Sequence, residues 1–156
     1  GIKDEYGCIY SPDGKRLLKG NCNITSYTVR EGTEVICNYA FSWCKSLQSI
    51  VIPDSVTEIG KEAFYGCSSL QSIVIPESVT EIGYYTFDGC ESLQSIVIPK
   101  GKKEYFENVF EKKYHHLLKE MDYKEVYNDS EPIINSVWNM KGIWEKLKSI
   151  MLRLRS

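Results

Sequence analysis

Six cysteines and two histidines are the side chains best suited to chemistry in this chain of 156 residues. Cys44, Cys67 and Cys90 recur every 23 residues. Zinc-binding thiols come in close pairs such as C-x₂-C, and no two cysteines here are so spaced. The spacing instead describes a column of small buried thiols, which pack as hydrophobes. Stacked neighbours lie close, yet strand pairing seldom supplies the dihedral a disulfide needs. Cys8, Cys22 and Cys37 fall outside the column, and a Cys8–Cys22 bridge stays open for a secreted protein. The cysteines therefore leave the redox compartment open. His115 and His116 are adjacent, so on a helix they point about 100° apart. Zinc on a helix takes i, i+4 spacing, so this pair reads as an exposed helix face with no metal. Glu58 and Glu81 have the look of a carboxylate pair, but they stand 23 residues apart in one column, as a solvated ladder would. There is no G-x-S-x-G elbow, no H-E-x-x-H and no Gly-rich phosphate loop. Without a nucleophile, base and orienting group the chain is expected to be no enzyme and to hold no cofactor. Asn23-Ile24-Thr25 and Asn128-Asp129-Ser130 match the glycosylation triplet, which matters only in a secretory eukaryote.

The recurrence of cysteine belongs to a repeat. Residues 47–69 read LQSIVIPDSVTEIGKEAFYGCSS and residues 70–92 read LQSIVIPESVTEIGYYTFDGCES, agreeing at 17 of 23 positions. A third copy begins at Leu93 and stops after Pro99, and a divergent one spans Ile24 to Ser46. That divergent copy keeps Ile24, Val29, Ile36, Ala40, Phe41 and Cys44 in register. A unit so short cannot bury its own apolar face and must stack on its neighbours. Leu47/Leu70/Leu93, Ile50/Ile73/Ile96, Ile52/Ile75/Ile98, Val56/Val79, Ile59/Ile82 and Phe64/Phe87 then form the core. SIVIP reads as a short strand closed by proline. With alternating side chains, Ile50 and Ile52 point inward while Ser49 and Val51 point outward. SVTEIG reads as a second short extended segment, with Gly60 and Gly83 turning the chain through positive φ. KEAFYGC reads as a turn or helical piece that drops one phenylalanine into the core.

The pattern LxxIxIPxxVxxIGxxAFxGCxx resembles the BspA-like, or Treponema-type, leucine-rich repeat over residues 24–99. Arg30, Cys37 and Trp43 replace the proline and the two glycines in the first copy. The resemblance implies an α/β repeat fold, a right-handed leucine-rich-repeat solenoid. It also implies a surface-exposed or secreted bacterial or protist protein engaged in adhesion or protein–protein contact.

Both ends of such a stack need closing. Residues 1–23 are expected to supply an N-terminal β-hairpin cap, turning at Ser11-Pro12-Asp13-Gly14. Phe106, Val109, Phe110, Leu117 and Met121 have helical spacing, so residues 100–121 are expected to form a C-terminal helical cap. The segment resembles the family's closing piece, in which a helix replaces the next strand. Residues 122–156 read as a linker and a basic amphipathic helix. Val137, Met140, Trp144, Leu147, Met151 and Leu154 line one side of it, and residues 141–156 carry a net +4.

Composition narrows the function classes. Nineteen basic against 21 acidic side chains give a net charge of −2, which argues against a nucleic-acid binder. No stretch approaches the ~18 apolar residues of a membrane span. Residues 1–99 carry a net −5 and residues 100–156 a net +3. No signal peptide is visible, and a removed one stays open. The surface expected to bind is the outward side of the strands, with Ser49, Ser72 and Ser95 in one row and Val51, Val74 and Val97 in another. Such a flat, repetitive face suits an extended protein, a host surface or matrix component for instance, or a glycan. The reading is a non-enzymatic interaction or adhesion module at the cell surface or outside the cell. The alternative is an assembly module whose basic C-terminal helix joins copies or lies on a membrane.

Overall fold

Two short β-branched runs per repeat give two strands per repeat, and stacking turns each into a sheet. The computed structural model describes residues 1–122. The strands are β1 (Ile2–Lys3), β2 (Ile9–Tyr10), β3 (Arg16–Lys19), β4 (Ser26–Thr28), β5 (Val35–Ile36), β6 (Ser49–Val51), β7 (Glu58–Ile59), β8 (Ser72–Val74), β9 (Glu81–Ile82), β10 (Ser95–Pro99) and β11 (Leu118–Met121). A helix, α1 (Lys103–Val109), and a 3₁₀ turn (Lys112–Leu117) lie between the last two. One sheet has the order β11-β10-β8-β6-β4 and is parallel throughout. The other has the order β1-β2-β3-β5-β7-β9, antiparallel in its first three strands and parallel in the rest. Like residues stand opposite like residues, Ser95 on Ser72 and Ile59 on Ile82.

The first sheet keeps the 23-residue step beyond the point where the sequence pattern stops. Its strands begin at Ser26, Ser49, Ser72, Ser95 and Leu118. Residues 100–121 are thus not one helix, which corrects the expectation for the closing segment. Only Lys103–Val109 is α-helical, and it occupies the place of the next strand after β9. Leu118–Met121 instead adds a strand, pairing Leu118 with Ile96 and Met121 with Pro99. The physical reason is burial. Leu118 and Met121 cover the apolar edge that β10 would otherwise expose. The linker and last helix expected after Met121 fall outside the described residues, apart from Asp122.

The core is a set of columns. Phe41, Phe64 and Phe87 are buried, with ring centroids 5.5 and 5.9 Å apart and planes within 7° and 16°. Phe110, from the end of α1, continues the row 5.5 Å from Phe87. Phe106 stacks on Phe110 at 5.7 Å and is fully buried beneath the closing segment. At the other end the hairpin β2–β3 turns at Ser11–Gly14, where the Gly14 N–H donates to the Ser11 carbonyl. A polar chain ties it to the first repeat. The Arg30 N–H donates to the Tyr10 hydroxyl, Tyr10 meets the Tyr27 hydroxyl, and Tyr27 donates to Asp4.

Gly60 and Gly83 do their work differently from expectation. Neither has a positive φ. Each sits against the preceding repeat, so that a Cβ on Gly60 would lie 2.5 Å from the Asn38 amide nitrogen. Cys37 holds the same column without a clash because a strand of the hairpin, not a repeat turn, lies beneath it, its N–H donating to Leu17.

Candidate binding surface

The strand-face rows are not the open surface expected of them. Ser49, Ser72, Ser95, Val51, Val74 and Val97 are all buried, Val97 completely. They stand apart from the hydrophobic core cluster that holds Ile50, Ile73 and Ile96. Ser95 donates to Ser72 along its row. The reason lies in the run Ile50-Val51-Ile52 itself, which is apolar without alternation. That is the signature of a parallel strand covered on both faces.

The cysteines also depart from the expected pattern. Cys44 is bonded to Cys22, while Cys8 stays a buried free thiol. Cys67 and Cys90 do form the expected column, each thiol donating to a phenylalanine carbonyl of the preceding repeat, Phe41 and Phe64. Cys44 has no full repeat before it, and Cys22 takes that place. Contact with the Cys67 thiol, then burial, pushes the Cys90 thiol well above the usual range. His115 accepts or donates a hydrogen bond at the Phe110 carbonyl, and His116 is exposed. Among the described residues no three potential ligands come together for a metal ion. Glu58 and Glu81 do share one column, directly paired across the sheet.

What the structure leaves open is the turn edge. Each turn donates backbone N–H groups to carbonyls of the next repeat: Tyr39 to Lys61, Phe41 to Ala63 and Trp43 to Tyr65, then Glu62 to Tyr84, Phe64 to Thr86 and Gly66 to Asp88. These bonds hold the turns in register, so side chains facing solvent also fall into columns. Tyr39, Glu62 and Tyr85 share a left-handed conformation, with φ of 61°, 52° and 56°. Trp43 holds φ 63° where later repeats have Gly66 and Gly89. Left-handed backbone is unfavourable for bulky residues and gathers at functional positions.

Large exposed aromatics cluster on this edge. Trp43 is 60% exposed, Tyr84 79% and Tyr85 56%, with Tyr39 and Tyr105 also exposed. The Trp43 ring lies across Gly66, where a Cβ would meet it at 2.6 Å, and it touches Tyr65 edge-on at 5.2 Å. A fixed, exposed Trp–Tyr pair is what interface hot spots are made of. Lysines attend several of these rings. Lys61 stands 5.9 Å from Tyr39, Lys45 5.8 Å from Trp43 and Lys113 5.1 Å from Tyr114. Contact with Tyr39 raises the Lys61 ammonium above its ordinary value. The Lys113 ion pair depresses the Asp88 carboxyl, and burial together with Asp88 pushes the Tyr114 phenol up to about 12.

The repeats match the family model described as BspA type Leucine rich repeat region, in six copies over residues 16–128. The chain belongs to this family. The BspA-type match reaches further than residues 24–99, taking in β3 and β11, which stack with the repeats in space. A leucine rich cell surface protein from Faecalibacterium prausnitzii A2-165 is 39% identical over 48% of this chain and 20% of its own, with a TM-score of 0.47. A leucine-rich repeat protein from Eubacterium ventriosum ATCC 27560 is 26% identical over 62% of this chain and 32% of its own, with a TM-score of 0.54. This BspA-type chain therefore spans a third or less of those two structures' chains. No curated protein matches it. No helix among the described residues is long and apolar enough to cross a membrane.

Sequence reasoning missed the turn edge, though a signal was present. Residues 47–69 and 70–92 differ at six positions, and four of them, Lys61/Tyr84, Glu62/Tyr85, Ala63/Thr86 and Tyr65/Asp88, lie in the turn. Where the scaffold is repeated and one stretch varies, the stretch that varies is free to serve recognition.

Proposed function

We propose that this chain is a non-enzymatic protein-binding module of a cell-surface or secreted protein, and that it binds through its turn edge. Membership of the BspA-type family supports an interaction role. The Cys22–Cys44 bridge fits an oxidising compartment outside the cytoplasm. The observation that carries the reading is Trp43, held at a left-handed position, exposed, and braced between Gly66 and Tyr65. An aromatic pays little conformational entropy when it is already held in place, so such a residue is a ready anchor. The buried serine and valine rows offer a partner no comparable area.

The test is capture of purified extracellular and matrix proteins by wild type and by a Trp43→Ser, Tyr84→Ser variant, after matching circular dichroism spectra. Loss of a bound partner in the variant, by about tenfold or more, is the expected result. Equal capture by both would remove the turn edge from the binding surface.

A further inference from the structure

The last turn of the array differs from the ones before it in a way that selects a partner's chemistry. Between this turn and α1 lies a cleft of about 430 Å³, walled by Tyr84 and Tyr105 and floored by Glu81, Asn108 and Val109. Tyr105 is fixed, because its hydroxyl donates to the Thr80 carbonyl at 2.7 Å and its ring stands edge-on to Phe106. Its own polar group is thereby spent, and what it offers the cleft is a ring. Tyr84 offers a second ring, open to solvent over most of its surface.

The charged lining residue is Glu81, which is exposed and stands beside Glu58. Neither carboxylate has a cation within ion-pair distance among the described residues. The repeat itself explains the missing charge. In the preceding turn, the residue in the Tyr84 column is Lys61, whose ammonium leans back over Tyr39 and reaches Glu62 at 3.8 Å. Trp43 and Tyr114 likewise carry lysines of this chain, Lys45 and Lys113. At Tyr84 the cation has been exchanged for another ring, and the carboxylate row is left without a counter-charge. Two π faces and a carboxylate in one open cleft form a site for a positive group, since the ring quadrupole and the carboxylate attract it together.

We infer that the cleft between Tyr84 and Tyr105 receives an arginine or lysine side chain of the partner protein. This rests on the turn-edge reading and narrows it to one end of the edge. Charge complementarity chooses the occupant. An acidic or purely apolar segment would leave Glu81 unpaired against it, whereas a guanidinium stacks on a tyrosine ring and donates to Glu81 and to the Asn108 carbonyl at once.

The test uses the 156-residue chain and two probes, an end-blocked hexa-arginine peptide and its hexa-glutamate counterpart, in calorimetric titrations at low and high salt. Wild type is expected to bind hexa-arginine, more weakly as salt rises, and to ignore hexa-glutamate. Tyr84→Ala and Glu81→Gln should each weaken binding by about fivefold or more, while Tyr84→Phe, which keeps the ring, should bind as wild type does. Glu91→Gln, an exposed carboxylate outside the cleft, controls for net charge and should change little. No binding by wild type, or equal binding by all variants, overturns the inference. Partner capture that depends on Trp43 but not on Tyr84 or Glu81 would sink this site and leave the turn-edge reading standing.

Discussion

Gly83 packs so closely on Lys61 that a Cβ added to the glycine would lie 2.3 Å from the Lys61 amide nitrogen. The neighbour is backbone, not a side chain that can swing away. Gly83→Ala must therefore push two repeats apart or bend one of them. The expected cost is about 1–3 kcal/mol, the usual range for overpacking. Urea denaturation of this variant beside wild type measures it, and an unchanged midpoint would show that the repeats can give way. Gly60→Ala, facing the Asn38 backbone, should behave the same.

Much of this fold was legible because repeated letters become stacked residues. Phe64 over Phe87 and Ile59 beside Ile82 follow from a step of 23 alone. Leu118 keeps that step from Ser95, yet its strand was hidden. The helical spacing of Phe106, Val109 and Phe110 is real, and it was extended too far along the chain. Phe110 carries two meanings at once, the end of a helix and the fourth ring of a column. The Cys22–Cys44 bridge was hidden because Cys22 lies 22 residues from its partner and outside the repeat. The strand rows misled for a different reason. Alternation was assumed in Ile50-Val51-Ile52, where no polar residue marks an outer face, and all three side chains are buried.

The cysteines should separate cleanly by reactivity. Cys37 is the half-buried free thiol, while Cys8, Cys67 and Cys90 are buried. Burial also raises the Cys8 thiol above its ordinary value, which lowers its thiolate fraction. A thiol reagent added to native protein is expected to label one cysteine quickly, with peptide mapping placing it at Cys37. Rapid labelling of Cys67 or Cys90 would show that the column opens. Reducing the Cys22–Cys44 bridge releases a loop of about 22 residues, worth about 3 kcal/mol by chain-entropy reasoning. The denaturation midpoint should fall accordingly when reductant is present.

Val97 tests whether the strand rows serve stability or recognition. Its side chain is fully buried beside Val74 in the parallel sheet. Val97→Lys places an ammonium there without a partner, and the expected loss is at least about 2 kcal/mol. Thermal unfolding reads it directly. A lysine variant as stable as wild type would show that this face reaches water after all and would reopen it as a binding surface.

High pH should loosen the hairpin end first, because two phenols there resist ionisation. Burial raises the Tyr10 phenol, and burial with the hydrogen bonds to Asp4 and Tyr10 raises the Tyr27 phenol further. In the unfolded chain both would ionise near pH ~10. Below that, folded and unfolded states bind the same protons at these groups, and the stability they contribute is fully present. Above it the unfolded state loses protons that the folded state keeps, so stability falls as pH rises. Unfolding free energy measured from pH ~8 to ~11 is expected to decline in the upper half of that range. Tyr27→Phe removes the more strongly raised group, so the variant starts less stable, having lost the bond to Asp4, but declines less steeply. Parallel slopes for variant and wild type would place the alkaline sensitivity elsewhere in the molecule.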